Sequence, residues 1–196
     1  MSIPLPAAIG FAVGFYSITL YAVTRGQRLA GRSPLVILRS GTAEEKISVV
    51  LLAIFPVVFI LAARRPEVAL VRPLFDLPAL RGVGVLALTG GLWLHFTALR
   101  TLGAAFQIGI DTSQTPGIVT AGPYRYIRHP VYAAFIAYFL GAWLVLPCPL
   151  FSVAVPFAVF RIVLQAFHEE AALSAAFGRA YTEYMRTTTR FIPGVF

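Results

Sequence analysis

The chain has 196 residues, 58% of them hydrophobic and only 12% charged, with a mean hydropathy of +0.80. A soluble domain carries about 45–50% apolar and 25% charged residues, so an ordinary water-soluble fold is excluded. The formal net charge of +8 raises the question of nucleic acid, and the length allows one domain or at most two.

Five apolar segments follow in chain order, at about Pro4–Val23, Ile47–Ala63, Gly82–Leu99, Val131–Leu146 and Leu150–Phe167. A membrane-spanning helix needs roughly 20 apolar residues, with about 17 as the lower end. The first and third segments meet this. The other three need flanking residues or local thinning of the bilayer. The first segment has no positively charged n-region and no small-residue cleavage site before Thr24-Arg25, so a retained helix is expected rather than a secretory signal.

In the third segment, Gly82, Gly84, Gly90 and Gly91 offer a small-residue face for close helix packing. Trp93 reads as an interfacial anchor and His95 as a satisfied packing residue. The stretch from Arg100 to Ala121, with Gly103, Gly109, Asp111, Pro116 and Gly117, is the longest non-apolar connection. Loops of that length are usually functional or mobile.

The fourth and fifth segments are joined only by Pro147-Cys148-Pro149. So short a link forces two antiparallel neighbours, a tight helical hairpin whose far ends lie together. Arg128-His129 stands at one far end and Glu169-Glu170 at the other. Arg161, Gln165 and His168 or Glu169 recur at helical spacing, a polar stripe expected to face a protein neighbour. After Glu170, Ala171–Tyr184 reads as an amphipathic helix with Leu173, Phe177, Tyr181 and Tyr184 on one face. Cys148 is the single cysteine, so no intrachain disulfide forms, and no Cys/His cluster points to a metal.

The expected fold is therefore all-α: one polytopic membrane domain over residues 1–196 with five transmembrane helices and a C-terminal amphipathic helix. Residues 1–99 form a three-helix scaffold and 100–196 the part that carries chemistry. With the N-terminus outside, the inner segments 24–46, 100–130 and 168–196 hold eleven Lys/Arg and the outer ones four. That is the positive-inside bias. The charge thus reports topology rather than nucleic-acid binding, with anionic lipid heads as a second use. Both polar clusters fall on the cytoplasmic side. Fifteen Arg against one Lys fits a GC-rich bacterial genome and hence a bacterial cytoplasmic membrane.

The densest polar cluster is Gly122-Pro-Tyr-Arg-Tyr-Ile-Arg-His-Pro-Val-Tyr132, wedged between apolar runs. Polar groups held at a bilayer boundary and facing one another are a site by default. Pro130 fits a first helical turn, which sets Arg128 and His129 beside unsatisfied N–H groups able to take an anion. Gly122 lets the backbone turn or approach a ligand. Tyr124, Tyr126 and Tyr132 offer rings for a base or a sulfonium. The cation and the carboxylates are expected to enclose a pocket large enough for a nucleoside.

Together with Glu-Glu-Ala-Ala-Leu-Ser-Ala-Ala-Phe-Gly-Arg-Ala-Tyr-Thr-Glu-Tyr and Arg-Phe-Ile-Pro further on, this cluster resembles the isoprenylcysteine carboxyl methyltransferase family and the wider group with phospholipid N-methyltransferases. The likeness covers residues 102–193, where Leu102-Gly103 with Phe106 stands for a Leu-Gly…Trp stretch. It implies an integral-membrane enzyme using S-adenosylmethionine on a lipophilic or lipid acceptor at the inner membrane face. By that pattern Gly122, Tyr124, His129, Tyr132 and Tyr181 lie around the cofactor. Arg128, Glu169 and Glu170 are essential near the acceptor, and Tyr184 is a weaker carry-over.

Methyl transfer from a sulfonium needs alignment rather than a metal. Arg128 is expected to grip an acceptor carboxylate with its planar fork, while a Glu orients Arg128 or holds the cofactor's amino group. For an amine acceptor a Glu would be the base. Two other readings are open: an NADPH-dependent membrane reductase of the sterol-reductase type, and a non-enzymatic membrane scaffold.

Overall fold

A computed structural model describes residues 4–31, 41–108 and 117–195. Its main helices are α1 (Pro4–Ala30), α2 (Ala43–Arg64), α3 (Pro78–Leu102), α4 (Pro130–Val145), α5 (Pro149–Phe177) and α6 (Arg179–Thr187). Short 3-10 turns lie at Gly103–Ala105 and Gly122–Arg125. The fold is all-α, as expected. Gly109, Asp111 and Pro116 of the long connection lie outside the described residues.

Four stretches, Pro4–Ala30, Lys46–Arg64, Pro78–Ala105 and Pro149–Phe177, are long and apolar enough to cross a membrane. The fifth apolar helix, α4, has 16 residues and rises only about 24 Å at 1.5 Å per residue, less than the roughly 30 Å hydrocarbon core. One side of it is turned inward, with Ala134, Tyr138, Phe139, Gly141, Ala142 and Val145 buried, while Leu140 is exposed.

Helix α4 packs against α3 more closely than against its hairpin partner, and glycine is the reason. A Cβ on Gly84 would stand 2.7 Å from the Gly141 carbonyl oxygen, and one on Gly141 would stand 2.9 Å from that of Gly84. Gly91 lies as close to the Tyr138 ring, 2.9 Å from the place of a Cβ. Backbones meet directly there, the usual basis of helix association where lipid removes the hydrophobic drive. The glycine face expected from the sequence is thus two faces, because Gly82 and Gly90 have nothing within 4 Å.

Around this contact a layer of rings fills the interior. Phe11 meets Tyr138 edge-on at 4.8 Å and Phe55 meets Phe139 at 4.6 Å. His95 Nδ1 lies 2.9 Å from the Tyr138 hydroxyl, so both polar groups are satisfied in an apolar surround. That is the packing role expected of His95. Trp93 is exposed on the outer surface of α3.

The hairpin forms at Pro147-Cys148, and Pro149 starts α5 where no donor is lost. The segment between α2 and α3 covers this corner: Leu74 N–H donates to Pro147 O at 2.7 Å and Leu150 N–H to Leu70 O at 3.0 Å. Helix α5 continues through Glu169-Glu170 as far as Phe177, past the boundary expected at Glu170. Nothing breaks the helix before Gly178, whose φ of +53° ends it. The amphipathic helix therefore starts at Arg179 rather than Ala171.

Substituting Gly141 by Leu should wedge α3 from α4 and lower the midpoint of thermal unfolding in detergent by several degrees, in line with overpacking costs of about 1–3 kcal/mol. Leu at Gly90 should leave that midpoint unchanged. Equal effects at both positions would contradict the packing described.

Candidate functional site

The site is built where the ends of α4 and α5 meet the C-terminal segment. Tyr126–His129 runs beside Thr188–Arg190 as a parallel pair bridged at Ile127 and Thr189. Thr189 N–H donates to Tyr126 O at 3.2 Å, Arg128 N–H to Thr189 O at 2.8 Å and His129 N–H to Arg190 O at 3.1 Å. Backbone donors and acceptors of the two segments satisfy one another across this single bridge, which holds the Arg-His dipeptide ahead of Pro130.

At the centre of the cluster is the buried Glu170 carboxylate, with 8% of its side chain exposed. Arg128 donates Nε to Oε1 at 2.9 Å, and Arg190 donates Nε to Oε1 at 3.1 Å and Nη2 to Oε2 at 2.8 Å. His129 Nε2 lies 3.2 Å from the same Oε1. Burying a carboxylate is costly unless it is paired and hydrogen-bonded, and three cationic or polar partners meet that requirement. Arg128 Nη1 is directed at the carbonyls of Met185, at 3.2 Å, and Thr188.

Glu169, one residue earlier, turns to a different side. Its side chain is 32% exposed and Oε2 lies 3.6 Å from His129 Nδ1. The His129 imidazole is therefore placed between the two carboxylates and stacks on Tyr132, with centroids 5.3 Å apart and 14° between planes. Tyr124 and Tyr181 are buried. Burial first, then the charge of Glu169, pushes the Tyr124 phenol well above its ordinary range. Burial and the charges of Glu170 and Glu169 push Tyr181 up as well. Tyr184, raised by burial to about 12, donates its hydroxyl to Tyr124 O at 2.8 Å. All three phenols stay protonated at neutral pH.

Of the residues expected from the sequence, Arg128, His129, Glu169, Glu170 and Tyr132 come together, with Tyr124 and Tyr181 beside them. Gly122 has a packing duty against α3. At φ +55° a Cβ there would lie 2.6 Å from Thr101 Oγ1, so both conformation and space demand glycine. One expectation needs correction: Arg128 and Glu170 touch, so no nucleoside fits between them. Arg128 directs Nε to Glu170 and Nη1 to the carbonyls of Met185 and Thr188. The polar stripe on α5 divides as well: Arg161 and Gln165 are half-buried, whereas His168 is exposed.

Arg190 received no role from the sequence. Its only signal was the Arg-Phe-Ile-Pro run, and nothing in local spacing says that a residue 20 positions after Glu170 folds back onto it.

The fold and this ion-pair centre define a helical integral-membrane protein with a polar site at one end of a helix hairpin. A family model described as phospholipid methyltransferase matches residues 80–180, and the chain belongs to that family. Among curated relatives, protein-S-isoprenylcysteine O-methyltransferase A of Arabidopsis thaliana is 32% identical over 115 residues, covering 57% of this chain and 58% of the relative. The Homo sapiens protein-S-isoprenylcysteine O-methyltransferase is 31% identical over 130 residues, covering 60% and 46%. The chain thus spans about half the length of the curated relatives it matches. A solved structure of the eukaryotic intramembrane Ras methyltransferase ICMT (isoprenylcysteine carboxyl methyltransferase) shares the fold, with TM-score 0.56, 19% identity and coverage of 97% of this chain and 68% of that one.

Replacing Glu170 by Gln leaves two buried guanidinium groups short of a counter-charge, and loss of one partner of a buried pair costs about 3–5 kcal/mol. A marked drop in the detergent unfolding midpoint is expected. Glu169→Gln, at a half-exposed position, should shift the midpoint little. Equal midpoints for the two variants would contradict the division of duties between these carboxylates.

Proposed function

We propose that the chain is an S-adenosylmethionine-dependent methyltransferase of the inner membrane face, acting on a lipophilic acceptor by carboxyl O-methylation of an isoprenylcysteine-like compound. The observation that carries this reading is the convergence of Arg128-His129 with Glu169-Glu170 and three tyrosines, in a chain of the phospholipid methyltransferase family. The named relatives are isoprenylcysteine O-methyltransferases, which favours a carboxyl acceptor. The family description keeps an aminophospholipid as the second reading.

The donor set fits the proposed cofactor. A half-exposed Glu169 beside the His129–Tyr132 stack and the Tyr124 and Tyr181 phenols combines an anion with aromatic faces, the partners an ammonium and a sulfonium require. When bound, S-adenosylmethionine supplies an electrophilic methyl group. Glu169 would receive the amino group, and Tyr132 with His129 would offer a flat face. Tyr124 and Tyr181, protonated, can donate hydrogen bonds but not take a proton. Glu170 and Arg128 hold these elements in register. A carboxylic acid acceptor is already ionised at neutral pH, so the chain needs no general base for it and contributes through positioning, which supplies up to about 7–11 kcal/mol in ideal cases. An acceptor with an apolar tail would enter sideways from the bilayer.

Membranes containing the protein, given tritiated S-adenosylmethionine and N-acetyl-S-farnesylcysteine, should yield a base-labile labelled ester. A base-stable label on phosphatidylethanolamine instead would select the second reading. Calorimetry on purified protein should show S-adenosylhomocysteine bound and NADPH not; tighter NADPH binding would replace both readings by the reductase one.

A further inference from the structure

The two-pronged grip on Glu170 belongs to Arg190. Its Nε and Nη2 reach the two carboxylate oxygens separately, at 3.1 and 2.8 Å, whereas Arg128 reaches Oε1 alone through Nε. The Arg190 guanidinium also lies over the Phe167 ring, 4.1 Å from its centroid. Its side chain is 13% exposed, and its carbonyl accepts the His129 N–H at 3.1 Å. A planar fork that is stacked on one face and paired along one edge has a single orientation, which an ammonium on a flexible stem does not reproduce.

Fixing Glu170 has consequences for the neighbours that face a ligand. Adjacent residues on an α-helix point about 100° apart, so the rotation of α5 that places Glu170 inward places Glu169 on the half-exposed side. Glu170 Oε1 in turn contacts His129 Nε2, and His129 carries the Tyr132 stack and approaches Glu169. Arg190 stands behind these contacts, gripping Glu170 from the C-terminal segment.

We propose that Arg190 is a positioning residue for methyl transfer: acting through Glu170, it sets the His129–Tyr132 face and presents Glu169 to the ligand. The C-terminal segment is thereby part of the site. The inference rests on the methyltransferase reading above.

The test uses full-length protein in lipid nanodiscs, with tritiated S-adenosylmethionine and N-acetyl-S-farnesylcysteine as the acceptor probe. Arg190→Lys and Arg190→Gln are compared with wild type for kcat, KM, S-adenosylhomocysteine affinity and unfolding midpoint. Misplacement of about 1 Å costs on the order of 100-fold, so kcat is expected to fall about 10- to 100-fold in both variants at temperatures well below their midpoints. KM should move much less, and lysine should fail to rescue. Restoration of kcat by Arg190→Lys, or a lowered midpoint with unchanged kcat, would overturn the proposal while leaving the function standing. If Arg190→Gln does not fold, Phe167→Leu, which removes the ring behind the guanidinium, takes its place beside Arg190→Lys. Unchanged kcat in both would be decisive against the idea. Wild-type protein that neither binds S-adenosylhomocysteine nor labels the probe would overturn the methyltransferase reading itself, and the proposal with it.

Discussion

One buried carboxylate ties together four separate parts of this chain. Glu170, near the end of α5, is contacted by Arg128 and His129 from the start of α4 and by Arg190 from the C-terminal segment, and Arg128 continues to carbonyls at the end of α6. In water such pairs are worth little. At a membrane boundary, away from solvent, none of the partners can be removed without stranding the others. The geometry of the site is therefore set by the mutual satisfaction of charges rather than by shape alone.

The rest of the molecule serves to bring those charges within reach. Helix α4 is too short to cross the bilayer comfortably, and its buried residues pack on the neighbouring helices, so its height is decided by those neighbours. The direct backbone contact of Gly84 with Gly141 fixes its distance from α3. The covered Pro147-Cys148-Pro149 corner fixes its relation to α5. Arg25 adds a tie on the same side as the site, donating Nη1 to Arg100 O at the end of α3. Apolar packing thus positions the helix ends, and the polar contacts lock what packing has placed.

This arrangement divides labour between two adjacent carboxylates. Glu170 is committed to structure, and Glu169 is left half-exposed beside an imidazole–phenol stack. Under the methyltransferase reading proposed above, both have a use: a rigid frame, and a charged group accessible to a ligand. Arg128 is tied into the same frame, with Nε on Glu170 and Nη1 on the carbonyls of Met185 and Thr188.

Much of this was legible in the residues. Apolar run lengths announced a helical membrane protein. A three-residue, proline-bounded link dictated an antiparallel hairpin, and from that alone Arg128-His129 had to meet Glu169-Glu170. The family likeness was carried by the motif around Arg128-His129 and the run after Glu170, and the likeness implied the tyrosines. Tertiary structure decided what spacing cannot reach. Which glycines touch a neighbour depends on how two helices are rotated against each other, so Gly84 and Gly82 look alike until the helices are packed. Which glutamate turns inward depends on the phase of α5, and two consecutive residues carry no sign of it. Arg190 is brought to Glu170 by the parallel bridge of Ile127 with Thr189, and a bridge of that kind leaves no periodic trace in the sequence.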